Sequence, residues 1–268
     1  MKKIFKPMVE LVGILNVTPD SFSDGGLYNT QDRAIFKIKQ LIEDGATIID
    51  IGAESTRPFA KAITQREEWA RLEHILPHII RLAHSFNAKV SIDTRSAHTA
   101  RNAINLGVDI INDVSGLSDI KMLDLLKESK VKIILNHNLG IPPDPNITIS
   151  EELDVIDEVK KWAQEKIKYL EENNISKKRI ILDVGIGFGK TPKQSMLILS
   201  HLDEFKELDI PIFVGHSRKS FLNQFEPKSN IDRDSLTAVF SAKIANDCDY
   251  IRVHNVKLNN FMIKNFAA

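Results

Sequence analysis

Several positively charged or chargeable side chains stand in short motifs that could bind a phosphate group. Each lies at or just past the end of a short apolar run: Arg57, Lys219, Arg252 and His254, with Arg218 as a further candidate. In a chain of formal net charge +0, a local cluster of cations suits a phosphate or pyrophosphate, because these groups form charge-assisted hydrogen bonds with its oxygens. The alternative is that the same side chains form ion pairs with nearby acids.

A second set of side chains offers carboxylate and amide groups in similar positions. Asp93, Asn112 and Asp183 each stand at the end of an apolar run. A carboxylate there can accept two parallel N–H bonds from a planar amino-heterocycle, or it can cap the helix that follows. Because side chains alternate along a strand, Asp113 points away from its neighbour Asn112, which favours a structural role for Asp113.

The elements that must position both sets are eight short apolar runs, which alternate with longer helical patterns. The runs are rich in Ile, Val and Leu on both faces, as are strands of a parallel sheet. Strands are predicted at residues 11–15, 47–51, 89–92, 109–111, 131–135, 179–182, 210–214 and 250–253. This alternation predicts one (β/α)8 barrel domain over residues 1–268, a fold that takes about 250 residues. A doubly wound open sheet is the alternative.

A polar group that an apolar core does not require stands at or just after the C-terminal end of every predicted strand. The groups are Asn16, residues 54–57, Asp93, Asn112 with Asp113, His137, Asp183, residues 217–219, and Arg252 with His254. In a (β/α)8 barrel the carboxyl ends of all strands converge on one mouth, where active sites lie. A single such residue is often a loop cap, but a set at every strand end favours a site.

Residue types also mark several helix starts. Thr64 and Glu67 form a capping box, Ser150 precedes two acids, and Thr191 precedes a proline at the first helical position. Apolar residues recur with helical spacing over residues 66–83 and 151–170. Residues 139–149 contain three prolines and are predicted to form one long loop.

Composition argues against several classes of protein. Lys plus Arg number 36, as do Asp plus Glu, so no overall field attracts nucleic acid or an anionic membrane. The single cysteine, Cys248, cannot form a disulfide within the chain and fits a reducing cytosol. The first residues lack the apolar core of a signal peptide, and no apolar run is long enough to span a bilayer. A soluble cytoplasmic protein is therefore expected.

Three other features do not support the sites that they first suggest. Residues 185–191 look like a phosphate loop, but the Walker pattern needs glycine where Val184 stands, and the glycine spacing also fails the dinucleotide fingerprint. His74 and His78 lack the adjacent Glu of a zinc protease and are expected on a solvated helix face. Cys248 precedes a strand, where a buried or inert thiol is expected.

Seven segments together resemble the dihydropteroate synthase family along nearly the whole chain. They are residues 13–26, 54–58, 91–94, 111–116, 185–191, 217–220 and 252–254. Each is modest support alone, whereas their joint order and spacing are very specific. The resemblance implies a barrel enzyme of folate biosynthesis that joins a pterin pyrophosphate to 4-aminobenzoate and releases pyrophosphate.

The resemblance also implies roles for individual residues. The pterin ring would be held by Asp93, Asn112, Asp183 and Lys219. The pyrophosphate would be gripped by Arg57, Arg252 and His254, with Asn16 contacting a Mg²⁺ ion bound to it. The aminobenzoate pocket would be formed by Thr56, Pro58, Phe188, Ser217 and Lys219. The family is commonly dimeric, so a homodimer through outer helices near the C-terminus is expected.

The reaction so implied needs mainly stabilisation of its leaving group. The C–O bond breaks early because the pterin ring shares the developing positive charge, which an ionised Asp183 helps to stabilise, and cations gain most as negative charge collects on the departing oxygen. The predicted catalytic set is therefore Asp183, Lys219, Arg57, Arg252 and His254. The amine of 4-aminobenzoate is already nucleophilic at neutral pH, so no strong general base is required.

Four positions depart from the family pattern. Val184 replaces Pro, Asn138 replaces an apolar residue expected against the pterin, Asn255 replaces Asp, and Phe59 replaces Gly. Asn138 predicts weaker pterin affinity. Phe59 predicts a crowded aminobenzoate mouth and lower sensitivity to sulfonamides, which mimic that substrate.

Two rival functions stay open. A pterin-dependent methyltransferase shares the barrel and the pterin-binding acids, but residues 217–219 and 20–26 argue against it. The departures at Asn138 and Val184 lend some weight to a second rival, a degenerate binder with a structural role. The retained pyrophosphate-gripping residues would have little use in such a scaffold.

Overall fold

The computed structural model describes residues 9–17, 27–55, 62–225 and 232–267, with the backbone alone for residues 27–30. Its strands pair in parallel and in chain order to form a closed barrel, β1 to β8, in which β8 returns to pair with β1. The strands are β1 Glu10–Asn16, β2 Ile48–Gly52, β3 Lys89–Asp93, β4 Ile110–Asp113, β5 Lys132–Asn136, β6 Ile180–Asp183, β7 Ile212–Val214 and β8 Tyr250–Val253.

Helices cover the outside of this barrel. The α-helices in the described ranges are α1 Leu27–Glu43, α2 Gln65–Leu72, α3 Leu76–Ser85, α4 Ala97–Leu106, α5 Lys121–Glu128, α6 Val155–Glu172, α7 Pro192–Ser200, α8 Arg233–Ile244 and α9 Val256–Phe266. Short 3-10 turns lie at Lys177–Arg179, Leu202–Leu208 and Ser220–Gln224. In the part of the chain so described, no helix combines the length and apolarity needed to cross a membrane.

The barrel and its eight predicted strands are confirmed, each within two residues of the predicted ends. The open-sheet alternative is wrong, because Glu10 to Gly13 pair with Tyr250 to Val253 and close the sheet. A closed sheet leaves no edge strand exposed, so every strand has a neighbour on both sides.

Two helix predictions need correction. The pattern over residues 66–83 is not one helix: it breaks between Leu72 and Leu76, because Pro77 has no N–H to continue the first helix and instead opens α3. His74 lies in that break, so His74 and His78 do not share a helix face. Ser150 does not cap a helix, since the side chain of Asp154 accepts the first N–H groups of α6.

The other local predictions hold. Thr64 and Thr191 both form capping boxes, with Glu67 and with Gln194. Residues 139–149 form neither helix nor strand. Cys248 is buried, and its Sγ donates to the carbonyl oxygen of Ile244 at 3.3 Å.

The inside of the barrel begins with an apolar layer, which we call the floor. Seven of the eight strands contribute to it, with Val12, Ile48, Ile110, Ile134, Ile181, Phe213 and Tyr250. Alternate residues of the same strands face outward and pack in one larger core with apolar helix residues such as Leu76 and Ile167. The floor fills the barrel from below, so the strands are apolar on both faces up to this level.

The inward residue two positions further along each strand is polar on most strands. Asp50, Asn112, Asn136, Asp183 and Arg252 each follow a floor residue at this spacing and point to the same side. We call this set the polar layer. The carboxyl ends of the strands thus bring these five side chains to one mouth.

Candidate active site

Arg252 joins three strands at the mouth. Its Nε donates to Asp50 Oδ2 at 2.6 Å, and its Nη2 donates to Asp93 Oδ2 at 2.7 Å. Asp50 Oδ2 also accepts from Asn112 Nδ2 at 3.1 Å. β2, β3, β4 and β8 therefore meet in one hydrogen-bonded group, in which two carboxylates face one guanidinium.

The charge of Asp93 is finely balanced in this group. Burial raises the pKa of Asp93 to about 7, while Arg252 acts to lower it and Asp50 to raise it. Asp93 therefore changes charge near neutral pH, where it can either accept from or donate to a bound heterocycle.

Asp183 forms the opposite side of the polar layer. Its Oδ1 accepts from the backbone N–H of Gly185 at 2.8 Å, and its Oδ2 accepts from Asn136 Nδ2 at 3.2 Å. Burial raises the pKa of this carboxyl, against the opposing influence of the Gly185 N–H, Lys219 and Arg252. Arg252 and Asp183 were predicted from the sequence to lie at one mouth, and in the structure they are close enough to act on each other electrostatically.

Lys190 holds the loop that follows β6. Its buried Nζ donates to the carbonyl oxygens of Gly185 at 3.0 Å and Phe188 at 3.1 Å, and it lies 2.8 Å from His137 Nδ1. Burial lowers the pKa of Lys190 to about 7, and burial followed by the nearby Lys190 lowers that of His137 to about 3. His137 is therefore a neutral acceptor for Lys190.

Gly185 shows why this loop needs glycine. Its φ is +69°, in the left-handed region, and a Cβ there would collide with the carbonyl oxygen of His137. The Gly185 N–H can then reach Asp183 while the carbonyl turns to Lys190. Gly185 was predicted only as part of a motif, and Lys190 was missed as an organising residue.

Phe188 and Lys219 form the wall beside Asp183. Lys219 Nζ lies 3.8 Å from the centroid of the Phe188 ring, within cation–π range. Burial lowers the pKa of Lys219 to about 8, with Asp183 acting to raise it. The wall therefore offers an aromatic face and an ammonium group at the same place.

Ser217 and His254 meet next to this wall. Ser217 Oγ and His254 Nδ1 are 2.9 Å apart, and Ser217 Oγ also accepts the His254 backbone N–H at 3.3 Å. The end of β8 is thereby tied to the loop after β7. The structure thus brings Ser217, His254, Lys219 and Phe188 to one side of the mouth.

Asn16 ends β1 at the same mouth and is partly exposed. A Cβ on Gly52 would lie 3.7 Å from Asn16 Oδ1, so the amide faces the small residue at the end of β2. Among the described residues no group of three or more His, Cys, Asp and Glu side chains could hold a metal.

Thr56, Arg57, Pro58 and Phe59 lie outside the described residues, so their predicted roles stay predictions. The residues that flank them are anchored by Glu54. Its carboxylate accepts from Arg95 Nε at 2.9 Å and Nη2 at 2.8 Å, and from the backbone N–H of Ile63 at 3.3 Å.

Arg218 does not join the cations at the mouth. Its Nε and Nη2 donate to Asp234 of α8 at 2.6 and 2.7 Å, and its side chain is exposed. The alternative interpretation, an ion pair with a nearby acid, is correct for this residue. Its φ of +59° turns it away from its neighbours Ser217 and Lys219.

Three more sequence features find a structural account. Asp113 accepts from Ser115 N, Ser115 Oγ and Leu117 N, which is the structural role predicted for it. Asn138 does not simply replace an apolar wall, because its Nδ2 donates to the Val114 carbonyl at 2.9 Å and its Oδ1 accepts from Gly140 N at 3.0 Å. Asn255 caps α9 by accepting from Leu258 N.

Asp50 is a further site residue that sequence reasoning missed, besides Lys190 and Asn136. It lies inside a strand between Ile49 and Ile51, so it does not stand at a strand end. A signal was present, since residues 45–50 and 107–112 are similar and place Asp50 opposite Asn112. The structure puts Asp50 and Asn112 in direct contact.

Comparison with known proteins gives a consistent result. A family model described as pterin binding enzyme matches residues 12–254. Curated relatives named dihydropteroate synthase include one from Bacillus subtilis, 37% identical over 94% of this chain and 86% of its own length. Another, from Synechocystis, is 38% identical over 92% of this chain and 85% of its own.

Solved structures agree with these relatives. A dihydropteroate synthase from Anaplasma phagocytophilum with bound 6-hydroxymethylpterin-monophosphate has a TM-score of 0.88 and 44% identity, covering 96% of this chain and 97% of its own. One from Xanthomonas albilineans with 4-aminobenzoic acid has a TM-score of 0.83 and 32% identity, covering 96% and 92%. The two proteins that bind these ligands thus have folds that superimpose closely on this one.

Proposed function

We propose a role for each side chain of the barrel mouth, on the premise that the chain belongs to the pterin-binding enzyme family. Within that family it is a dihydropteroate synthase. The enzyme condenses 6-hydroxymethyl-7,8-dihydropterin pyrophosphate with 4-aminobenzoate, forming 7,8-dihydropteroate and pyrophosphate. The observation that carries the proposal is the meeting of Asp93, Asn112, Asp183, Lys219 and Arg252 above an apolar floor.

The pterin ring lies in the polar layer in this proposal. Asp183 accepts N–H groups from the ring edge, while Asp93, Asn112 and Lys219 complete the pattern of donors and acceptors. Asp183 is fixed by Gly185 N and Asn136 Nδ2, so its carboxylate needs little reorganisation on binding. Its negative charge then stabilises the positive charge that the ring acquires as the C–O bond breaks.

Arg252 and His254, with Arg57, bind the departing pyrophosphate. Arg252 Nε and Nη2 are held by Asp50 and Asp93, which fixes the plane of the guanidinium. A cation so placed stabilises the charge that develops on the departing oxygens more than it stabilises the ground state. Ser217 orients the His254 ring through its contact with Nδ1.

A Mg²⁺ ion on the pyrophosphate fits the donors at this mouth. Mg²⁺ keeps several waters and binds through one or two protein oxygens plus substrate phosphates, and Asn16 Oδ1 is such an oxygen at the end of β1. When bound, the ion would neutralise charge on the leaving group. Asn16 would bind the ion through this oxygen.

4-Aminobenzoate occupies the wall formed by Phe188, Ser217 and Lys219, together with Thr56 and Pro58. The Phe188 ring offers an apolar face, and Lys219 and Ser217 offer donors to the substrate carboxylate. The amine is a neutral nucleophile, so these residues need only exclude water and aim it at the methylene carbon.

A homodimer in the cytoplasm completes the proposal. The outer helices α8 and α9 carry exposed Val239, Phe261 and Phe266, between 54% and 60% accessible, and apolar side chains of this size are typical of a subunit interface. Sedimentation at micromolar concentration tests the dimer, and a sharp monomer peak contradicts it.

Pyrophosphate release tests the function itself. The purified protein is given both substrates and Mg²⁺, and each component is omitted in turn. Release that requires all of them supports the proposal. Pterin binding without release favours the structural binder instead, and methyl transfer from methyl-tetrahydrofolate without pyrophosphate chemistry favours the methyltransferase.

A further inference from the structure

We propose that Asp50 is a positioning residue that sets the orientation of Arg252 and Asn112 and does not itself touch the substrates. Both side chains donate to the same oxygen, Asp50 Oδ2, at 2.6 and 3.1 Å. The inference rests on the function proposed above, in which those two residues bind different parts of one substrate.

The barrel does not need an acid at this position. Asp50 is fully buried, and its register partner on β1 is Ile14, an apolar residue at the same level. Burying a carboxylate is costly unless it is paired. Every side-chain partner that the described residues give Asp50 belongs to the site, so its contacts serve the site and not the packing of the barrel.

The second oxygen of Asp50 supports this interpretation. Asp50 Oδ1 has no hydrogen-bond partner among the described residues, and neither does Ser91 Oγ of its register partner on β3. A carboxylate placed for structural bonding would satisfy both oxygens. Asp50 instead leaves one oxygen unpaired while the other holds Arg252 and Asn112.

Asp50 decides which atoms Asn112 presents to the mouth. An amide can turn over and exchange its oxygen for its nitrogen. An ionised carboxylate accepts only, so it fixes the Asn112 amide with Nδ2 toward Asp50 and Oδ1 as the acceptor left for a ligand. The preference of Asn112 for a ring N–H is thus set by Asp50, which lies behind Asn112 and does not contact the substrate.

Asp50 also fixes the plane of the Arg252 guanidinium. Two carboxylates from neighbouring strands accept from Nε and Nη2. The remaining N–H groups of the guanidinium are then available to a phosphate. Without Asp50, Asp93 would be the one described side chain that accepts from Arg252, and the guanidinium could rotate about that contact.

Asp50→Asn tests the inference, with Ser91→Ala as the matched control. Both sites are fully buried neighbours in register, but Ser91 contacts neither Arg252 nor Asn112 among the described hydrogen bonds. We expect Asp50→Asn to lower kcat/KM for the pterin pyrophosphate about 100-fold and to change KM for 4-aminobenzoate less than about threefold. Ser91→Ala should stay within about twofold of the native protein.

A binding cycle separates positioning from loss of folding. The affinity for 6-hydroxymethylpterin, which lacks the pyrophosphate, is measured by calorimetry for native protein, Asp50→Asn, Asn112→Ala and the double variant. If Asp50 acts through Asn112, Asp50→Asn weakens binding about tenfold in the native background and less than about twofold in the Asn112→Ala background. Equal effects in both backgrounds overturn the inference. If Asp50→Asn does not fold, Asp50→Leu with Arg252→Met removes both charges, and it is then compared with Arg252→Met alone.

The outcomes keep the two proposals apart. A native protein that releases no pyrophosphate contradicts the proposed function. An active native protein with an Asp50→Asn variant indistinguishable from Ser91→Ala contradicts the role of Asp50 and leaves the function standing.

Discussion

The floor and the polar layer of the barrel lie on the same strands, but burial has opposite effects on the free energy of their side chains. Floor residues such as Ile48 and Ile110 are apolar and almost fully buried, so each stabilises the fold by removing apolar surface from water. Two residues further along the same strands, Asp50 and Asn112 are buried as well, where they cost free energy unless they are paired. Residues that stabilise the fold and residues that form the site therefore lie only two positions apart on the same strands.

Magnitudes explain why the two layers are kept apart. Burying an Ile side chain contributes about 1.5–3 kcal/mol, whereas desolvating a single buried ion costs several kcal/mol before pairing. Arg252 offsets part of that cost by pairing with both Asp50 and Asp93. Substitutions in the polar layer should therefore change activity most, and substitutions in the floor should change stability most.

Arg252→Ala should have the largest effect on turnover. It removes a cation that is predicted to gain most as the leaving group departs, so kcat should fall by about 1,000-fold, or roughly 4 kcal/mol of barrier. Steady-state pyrophosphate release measures the loss. Arg218→Ala is the matched control, because Arg218 pairs with Asp234 away from the mouth, and it should retain native kcat. Native turnover in Arg252→Ala would remove Arg252 from the mechanism.

Ile110→Ala should have the largest effect on stability. It removes a floor side chain that is 1% exposed, and the free energy of unfolding should fall by about 2–5 kcal/mol. Activity per folded molecule should stay within about twofold at a permissive temperature. Ile120→Ala, at a position 77% exposed, should change stability by less than about 0.5 kcal/mol. Equal losses at the two positions would contradict the role of the floor.

The pH profile of activity should show the ionisation of two side chains at the mouth, Asp93 and Lys219. With a pKa of about 7 for Asp93 and about 8 for Lys219, kcat/KM for the pterin substrate should rise as pH increases through about 7, when Asp93 ionises. It should fall above about 8, when Lys219 loses its proton. Each limb approaches a tenfold change per pH unit.

The same pKa shifts predict opposite contributions to stability. The raised pKa of Asp93 stabilises the fold at low pH, and this contribution is lost as pH rises through about 7. The lowered pKa of Lys219 stabilises the fold at high pH, and this contribution is lost as pH falls through about 8. Melting curves of Asp93→Asn and Lys219→Met, against native protein, measure them. The assignment of the two activity limbs to Asp93 and Lys219 is tested separately. A kcat/KM profile that is flat from pH 6 to 9 would reject it for both residues.

Asn138→Met should have the smallest effect on binding. The Asn138 amide joins the Val114 carbonyl to Gly140 N–H, so the variant should lose about 1 kcal/mol of stability. The pterin dissociation constant should change less than about threefold, because the amide is used by the backbone. Calorimetry with 6-hydroxymethylpterin measures it, with the exposed Asn146→Met as control. A tenfold gain in affinity would restore the original prediction for Asn138.

The fold and much of the site could be predicted because their signals are local. Continuous apolar runs identify parallel strands, and strand ends identify Asp93 and Asp183 without knowledge of their partners. The break at Pro77 and the cap at Asp154 were equally local but were outweighed by an apolar spacing that continued across them.

Pairings could not be predicted, because they depend on register between distant strands. Nothing in the sequence near Arg252 shows that it meets Asp50 and Asp93, or that Arg218 turns to Asp234 instead. Lys190 was similarly hidden, since its three acceptors lie at Gly185, Phe188 and His137 and require a folded loop.

The site can form only after the barrel has closed, because one of its residues lies on the last strand. Asp50 and Arg252 are 202 residues apart in the chain, and β8 is the strand that completes the sheet against β1. Until β8 pairs with β1, Asp50 therefore lacks the guanidinium of Arg252. Catalytic competence should appear only with the final strand, and chaperones would meet an earlier chain as an open sheet with two exposed edges.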